Sequence, residues 1–173
     1  MKTLVVFYSL EGNTKFIAER IAKELKADLL ELKTKKQFPS SGFKKYVWGG
    51  KSVVFKELPE LTNQGVELDS YENIVIGTPI WAGTYAAPYN TFVKQYRFSG
   101  KKVALFACNA GGGVEKCFKM FKEALPDNEF IGEIDFVDPL KNDKEASAEK
   151  AVQWAKNLAL WKVVFSLIGA RQL

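Results

Sequence analysis

VVFYSLEGNT, Val5 to Thr14, is the stretch whose reading decides the fold. It passes from an apolar run straight into short polar residues, with Gly12 standing where a helical pattern is about to begin. Thr3 to Tyr8 has the continuous apolar character of a strand buried on both faces. Asn13 to Lys26 carries Phe16, Ile17, Ile21, Ala22 and Leu25 at helical spacing. The join, Ser9, Leu10, Glu11, Gly12, Asn13 and Thr14, is therefore a strand-to-helix turn. Such a turn aims several backbone N–H groups and a helix N-terminus at one point, which suits a phosphate. The hydroxyls of Ser9 and Thr14 add two donors. The plainer alternative is that Asn13 or Thr14 only caps the helix.

Working outward, the same alternation repeats. Ala27 to Lys33, Asn73 to Gly77, Lys102 to Ala107 and Phe130 to Val137 read as further strands. Helical patterns cover Pro88 to Tyr96, Val114 to Ala124 and Asp143 to Leu160. Strands alternating with helices imply right-handed crossovers and a mostly parallel α/β sheet covered on both faces. Thr34 to Val66 is the exception, a long connection with Pro39, Ser40, Ser41, Gly42, Gly49 and Gly50; such a length inside a compact domain marks a functional loop or a hidden element. The tail LWKVVFSLIGARQL either continues the last helix or uses Trp161, Phe165 and Ile168 for a dimer contact.

The chain has 173 residues and 47% hydrophobic content, enough for one full core, so a single domain over 1–173 is expected. No cationic segment followed by an apolar run opens it, and no apolar stretch has the length of a spanning helix, so a cytoplasmic protein without membrane insertion is expected. Cys108 and Cys117 are too few for a disulfide framework. Histidine is absent, which removes Ser-His-Asp and Cys-His hydrolases and most zinc sites; no metal is expected.

The net charge is +5, and of the 25 basic residues only Arg20, Arg97 and Arg171 are arginine. Lysine is the poorer residue for bidentate reading of phosphates or bases, and nucleic acid is not an expected partner. Lys33, Lys35, Lys36, Lys44, Lys45, Lys51 and Lys56 fall in one stretch without an acid, interleaved with Tyr46 and Trp48. This stretch is a solvated basic face or a docking patch for an acidic partner.

In an open parallel sheet ligands sit beyond the carboxyl ends of the strands, so those junctions are the places to search. After the third strand comes GTPIWAGTYAAP, in which Thr78, Pro79, Ile80, Trp81, Ala82, Gly83, Thr84 and Tyr85 interrupt the apolar run. Trp81 and Tyr85 either stack on a flat ring or cover the core edge. After the fourth strand comes CNAGGGVE, where Cys108, Asn109, Ala110, Gly111, Gly112 and Gly113 let the backbone approach a ligand closely. A phosphatase loop beginning at Cys108 needs an arginine six positions on, and Val114 stands there. Cys108 reads as an inert buried thiol.

GxxxxGK[ST] and GxGxxG are both absent after the first strand. SLEGNT instead resembles the first loop of the flavodoxin family, a Ser/Thr, two variable residues, Gly and Asn or a similar residue, then Thr. Glu11 departs from the Thr that many relatives carry there. The resemblance extends over nearly the whole chain, because all three loops follow strands one, three and four in the family's order. It implies a flavodoxin-like three-layer sandwich with a five-stranded parallel sheet of order 2-1-3-4-5, in the short-chain form. It also implies flavin mononucleotide (FMN) as cofactor, with its phosphate held by Ser9 to Thr14. The isoalloxazine would lie between Thr78–Tyr85 and Cys108–Gly113. The peptide that offers a carbonyl to the flavin N5 would be carried by Ala82 and Gly83, and the glycine loop would read the pyrimidine edge through its N–H groups. The extra residues after strand two, with Tyr46, Trp48, Gly49 and Gly50, would cover the ring.

The resulting expectation is a low-potential electron carrier with no catalytic residue of its own. Flavodoxins are typically acidic, so this basic chain would meet acidic redox partner proteins or have no protein partner, as a monomer or weak homodimer. The alternative is an NAD(P)H-dependent FMN oxidoreductase acting on quinones or other small acceptors. A third reading is a domain that kept the fold and lost the flavin.

Overall fold

The computed structural model describes residues 2–36, 38, 57–63 and 66–169, with side chains described through Ala159. The elements are β1 (Thr3–Phe7), α1 (Asn13–Leu25), β2 (Asp28–Glu31), β3 (Asn73–Trp81), β4 (Thr84–Tyr85), α2 (Pro88–Gln95), β5 (Lys102–Asn109), α3 (Val114–Ala124), β6 (Glu129–Val137) and α4 (Lys144–Gly169). The sheet runs β2-β1-β3-β5-β6 with every neighbour pair parallel, and β4 folds back antiparallel on β3. Apart from that short return strand, this is the expected 2-1-3-4-5 order.

Alternation of side chains along each strand divides the core in two. Leu4 and Val6 of β1, Ile74 and Ile76 of β3, and Val103 and Leu105 of β5 face α2 and α3, where Tyr89, Phe92, Cys117 and Phe121 meet them. Val5, Phe7, Val75, Ala104 and Phe106 face α1 and α4, meeting Phe16, Ile17, Ile21, Ala151, Ala155 and Leu158. The central strands β1, β3 and β5 are buried on both faces because helices cover both, which is why β1 reads as an unbroken apolar run, while the edge strands β2 and β6 are largely half-buried or exposed.

Gly77 lies beside Phe106 in the β3–β5 register. Its carbonyl accepts the Tyr89 hydroxyl at 2.7 Å and the Tyr8 N–H at 3.1 Å, so the middle of β3 is fixed from both sides. Pro88 opens α2, where its missing N–H costs nothing. Asp143 caps α4 through the N–H of Ala146 at 2.8 Å. That helix continues past the expected Leu160 to Gly169, since no breaker intervenes; the side chains of Trp161, Phe165 and Ile168 lie outside the described residues.

The long connection after β2 leaves and returns through a narrow neck. Thr34 bridges Leu61, Lys35 N–H donates to the Glu60 carbonyl at 2.9 Å, and Thr62 N–H donates to the Lys33 carbonyl at 2.8 Å. Asn63 closes the neck, accepting from Lys33 N–H and donating to the Glu31 carbonyl, both at 2.8 Å. Tyr46, Trp48, Gly49, Gly50 and the lysines from Lys44 to Lys56 lie outside the described residues. No helix among the described residues is long and apolar enough to cross a membrane.

Burial pushes the thiols of Cys108 and Cys117 from an ordinary 9.0 up to about 12. Burial also raises the phenols of Tyr8, Tyr85 and Tyr89. The unfolded chain therefore loses thiol protons above about pH 9 that the folded chain keeps until about pH 12, and stability falls as pH rises across that window. Urea midpoints are expected to be flat from neutrality to about pH 8.5 and to drop clearly by about pH 10.5.

Candidate functional site

The carboxyl ends of β1, β3, β5 and β6 open into one cleft of about 330 Å³, within the range of small-ligand sites. Four junctions line it, one more than the sequence pointed to.

From the first junction come Ser9, Leu10, Glu11, Asn13 and Thr14. Gly12, at φ 92°, occupies the N-cap position of α1. The capping itself is done by Ser9, whose Oγ accepts the N–H groups of Gly12 and Lys15, both at 3.2 Å. Neither Asn13 nor Thr14 is the cap. Asn13 Oδ1 accepts the N–H of Leu140 at 3.1 Å and so ties this turn to the fourth junction. Thr14 Oγ1 is buried, lies at the cleft and makes no hydrogen bond of good geometry, its polar neighbour being the weakly bonding Cys108 thiol. The N–H groups of Asn13 and Thr14, in the first helical turn, have no acceptor within the helix. Glu11 is exposed at the rim. Ser9 still has its O–H proton to donate. The turn thus aims two hydroxyls, two amides and the positive end of α1 at one place, an arrangement made for an anion.

The second junction supplies Pro79, Ile80, Trp81 and Ala82. The strand does not end at Gly77 as the sequence suggested. β3 runs on to Trp81 and turns over Ala82 (φ 48°) and Gly83 (φ 76°) into β4. A two-residue hairpin of type I′ needs both central residues at positive φ, and Ala-Gly is a weak signal for it compared with Asn-Gly. Thr78 and Thr84 serve the hairpin: Thr78 Oγ1 accepts Ala86 N–H at 3.0 Å, and Thr84 Oγ1 donates between the carbonyls of Trp81 and Tyr85 at 3.1 Å each. Tyr85 is core, its ring 4.4 Å from that of Phe121, so only Trp81 of the two aromatics lines the cleft. The Trp81 indole is held edge-on by Tyr8 at 5.6 Å and by Phe38 at 5.1 Å.

The third junction supplies Cys108, Asn109 and Ala110. Gly111 and Gly112 are not among the residues lining the cleft, and their N–H groups donate to Asn109 Oδ1 at 2.8 and 3.1 Å. Asn109 Nδ2 is in turn held by Asp135 at 2.9 Å. Gly113 serves packing, since a Cβ there would meet Gly83 Cα at 2.8 Å, and the two loops touch through their glycines. Burial raises the Cys108 thiol, the Thr14 hydroxyl opposes this in part, and Asp135 and Asp138 add to it. A protonated thiol is no nucleophile, so Cys108 is inert here.

The fourth junction, from β6 into α4, was not singled out in the sequence and adds Asp138 and Lys141. The same rule of strand ends applied to DPLKN would have found it.

Residues 2–157 match the family model described as Flavodoxin. The chain belongs to the flavodoxin family. Among solved structures, a flavoprotein from Lactobacillus acidophilus NCFM in complex with FMN is 29% identical, with a TM-score of 0.69, over 84% of this chain and 98% of that one. A candidate flavoprotein from Bacteroides uniformis ATCC 8492 is 24% identical over 90% and 97%, with a TM-score of 0.74. Oxidised flavodoxin 2 from Bacillus cereus is 20% identical over 92% and 98%, with a TM-score of 0.57. The last two share the fold. A flavodoxin-like chain of this order places its four strand-end junctions around a single cleft, as found here.

Proposed function

We propose that this flavodoxin-family protein holds FMN in the cleft and works as a low-potential electron carrier between redox partner proteins. The observation that carries the cofactor is the buried, unpartnered Thr14 hydroxyl beside the free amides of α1, which fits a terminal phosphate and leaves a polar atom unsatisfied without one. The FMN found in the Lactobacillus flavoprotein agrees with this reading. FMN supplies the electron chemistry; the chain's residues bind and orient it. In this reading Ser9, Asn13 and Thr14 take the phosphate, and Trp81 and Ala82 border the ring on one side. Asn109 and Ala110 border it on the other. Histidine is absent and burial keeps the Cys108 thiol protonated, so neither an imidazole nor a thiolate is available at the cleft for covalent chemistry on a substrate. That supports reading the bound flavin as the reactive group.

The test is reconstitution with FMN followed by anaerobic addition of NADH or NADPH. The expected result is a perturbed flavin spectrum and reduction by either nucleotide too slow to matter within minutes. Rapid bleaching by one nucleotide would make the protein an NAD(P)H-dependent oxidoreductase instead.

A further inference from the structure

We propose that Lys141 is the residue that selects for the phosphate in this cleft, its ammonium pairing with the phosphate of the bound mononucleotide; this rests on the FMN reading above. Among the described residues it is the cation that lines the cleft, where the other charged groups are the carboxylates of Glu11 and Asp138. A phosphate dianion entering this cleft gains from a cation on its lining, beyond the hydroxyls, the amides and the partial charge of one helix end.

The position of Lys141 is built. Lys141 and Asn142 donate their N–H groups to the Asp138 carbonyl at 2.8 and 3.0 Å, and Asn142 Nδ2 reaches the Val137 carbonyl at 3.1 Å. Asp138, at φ 41°, donates its N–H to the Asn109 carbonyl at 2.9 Å. The turn is then strapped to the start of α1 by Leu140 N–H on Asn13 Oδ1. Leu140 packs so near Gly12 that a Cβ there would lie 3.4 Å from its Cδ1. Lys141 therefore stands next to the turn that carries the unpartnered Thr14 hydroxyl. Its ammonium makes no ion pair among the described residues. Lysine meets phosphate as a point charge on a flexible stem, so its contribution is set by charge and screened by salt.

The experiment measures dissociation constants of FMN and riboflavin for the apo protein and for Lys141→Gln, at low and high ionic strength. The substituted side chain is exposed and leaves the fold intact. Lys141→Gln is expected to weaken FMN about tenfold at low salt while leaving riboflavin within about twofold, and to flatten the salt dependence of FMN binding. Lys141→Arg is expected to restore most of the loss. Equal weakening of both flavins, or unchanged FMN affinity, overturns the assignment while FMN binding itself stands. Failure of the unsubstituted protein to bind FMN overturns both readings.

Discussion

Gly77→Ala is expected to destabilise the protein by about 3 kcal/mol, at the upper end of what overpacking costs. A Cβ built at Gly77 lies 1.9 Å from Phe106 Cζ and within 2.6 Å of two further ring atoms. Phe106 is fully buried among Phe7, Ile17 and Phe136 and has no open space into which to retreat. The backbone of β3 has no room either, because the Gly77 carbonyl is held by Tyr89 and Tyr8. Relief therefore comes only by moving β3 against β5, which also shifts Pro79 and Cys108 at the cleft. Urea unfolding measures the loss, and a double-mutant cycle identifies its cause. Phe106→Ala alone costs about 3 to 5 kcal/mol by leaving a cavity. Adding Gly77→Ala to it is expected to cost little more, because the ring that collides is gone. Full additivity of the two losses would show that the glycine is needed for some other reason.

Thr14→Val is expected to change stability and binding in opposite directions. In the free protein the hydroxyl is buried without a partner, and such a group costs about 1 to 3 kcal/mol of lost hydration. Valine has nearly the same shape and no group to desolvate, so the thermal midpoint of the apo protein should hold or rise by a few degrees. In the proposed FMN complex the same hydroxyl would donate to a phosphate oxygen. Loss of a hydrogen bond to a charged group, about 1.5 to 3 kcal/mol, weakens FMN by roughly ten- to a hundredfold. Calorimetry on the apo protein and a fluorescence titration with FMN read the two halves separately. A valine variant that is less stable and binds FMN normally would show that Thr14 is a packing residue. A residue that is worse for stability and better for a ligand is what a binding site stores.

Most of the architecture was legible because the central strands β1, β3 and β5 are buried on both faces. Burial forces continuous apolar runs, and their alternation with helices of apolar residues at helical spacing points to a parallel α/β sheet. The first junction was legible for a similar reason: SLEGNT leaves few ways to turn from a strand into a helix. The roles inside it were less so. Ser9 caps α1 from outside the helix and Asn13 reaches across to Leu140, contacts separated by 127 positions in the latter case, and local spacing holds no record of them. The hairpin at Ala82 and Gly83 escaped notice because alanine rarely accepts positive φ, so its turn carries no compositional mark. Tyr85 looked like Trp81 in the sequence because both are aromatics on one loop. They separate only when β4 turns back and sends Tyr85 toward Phe121. The three glycines were expected to face a ligand; two give their N–H groups to Asn109 and the third accommodates Gly83. Lys141 was missed because one lysine among many carries no motif, and only the turn around Asp138 gives it a place.

The most direct test of the FMN site is an amide NMR titration of the apo protein with FMN. The predicted result is that the largest changes fall on the N–H resonances of Asn13 and Thr14, with further changes at Trp81, Ala82 and Ala110, and saturation at one FMN per chain. Saturable binding that leaves Asn13 and Thr14 unmoved and perturbs residues away from the strand ends would contradict it.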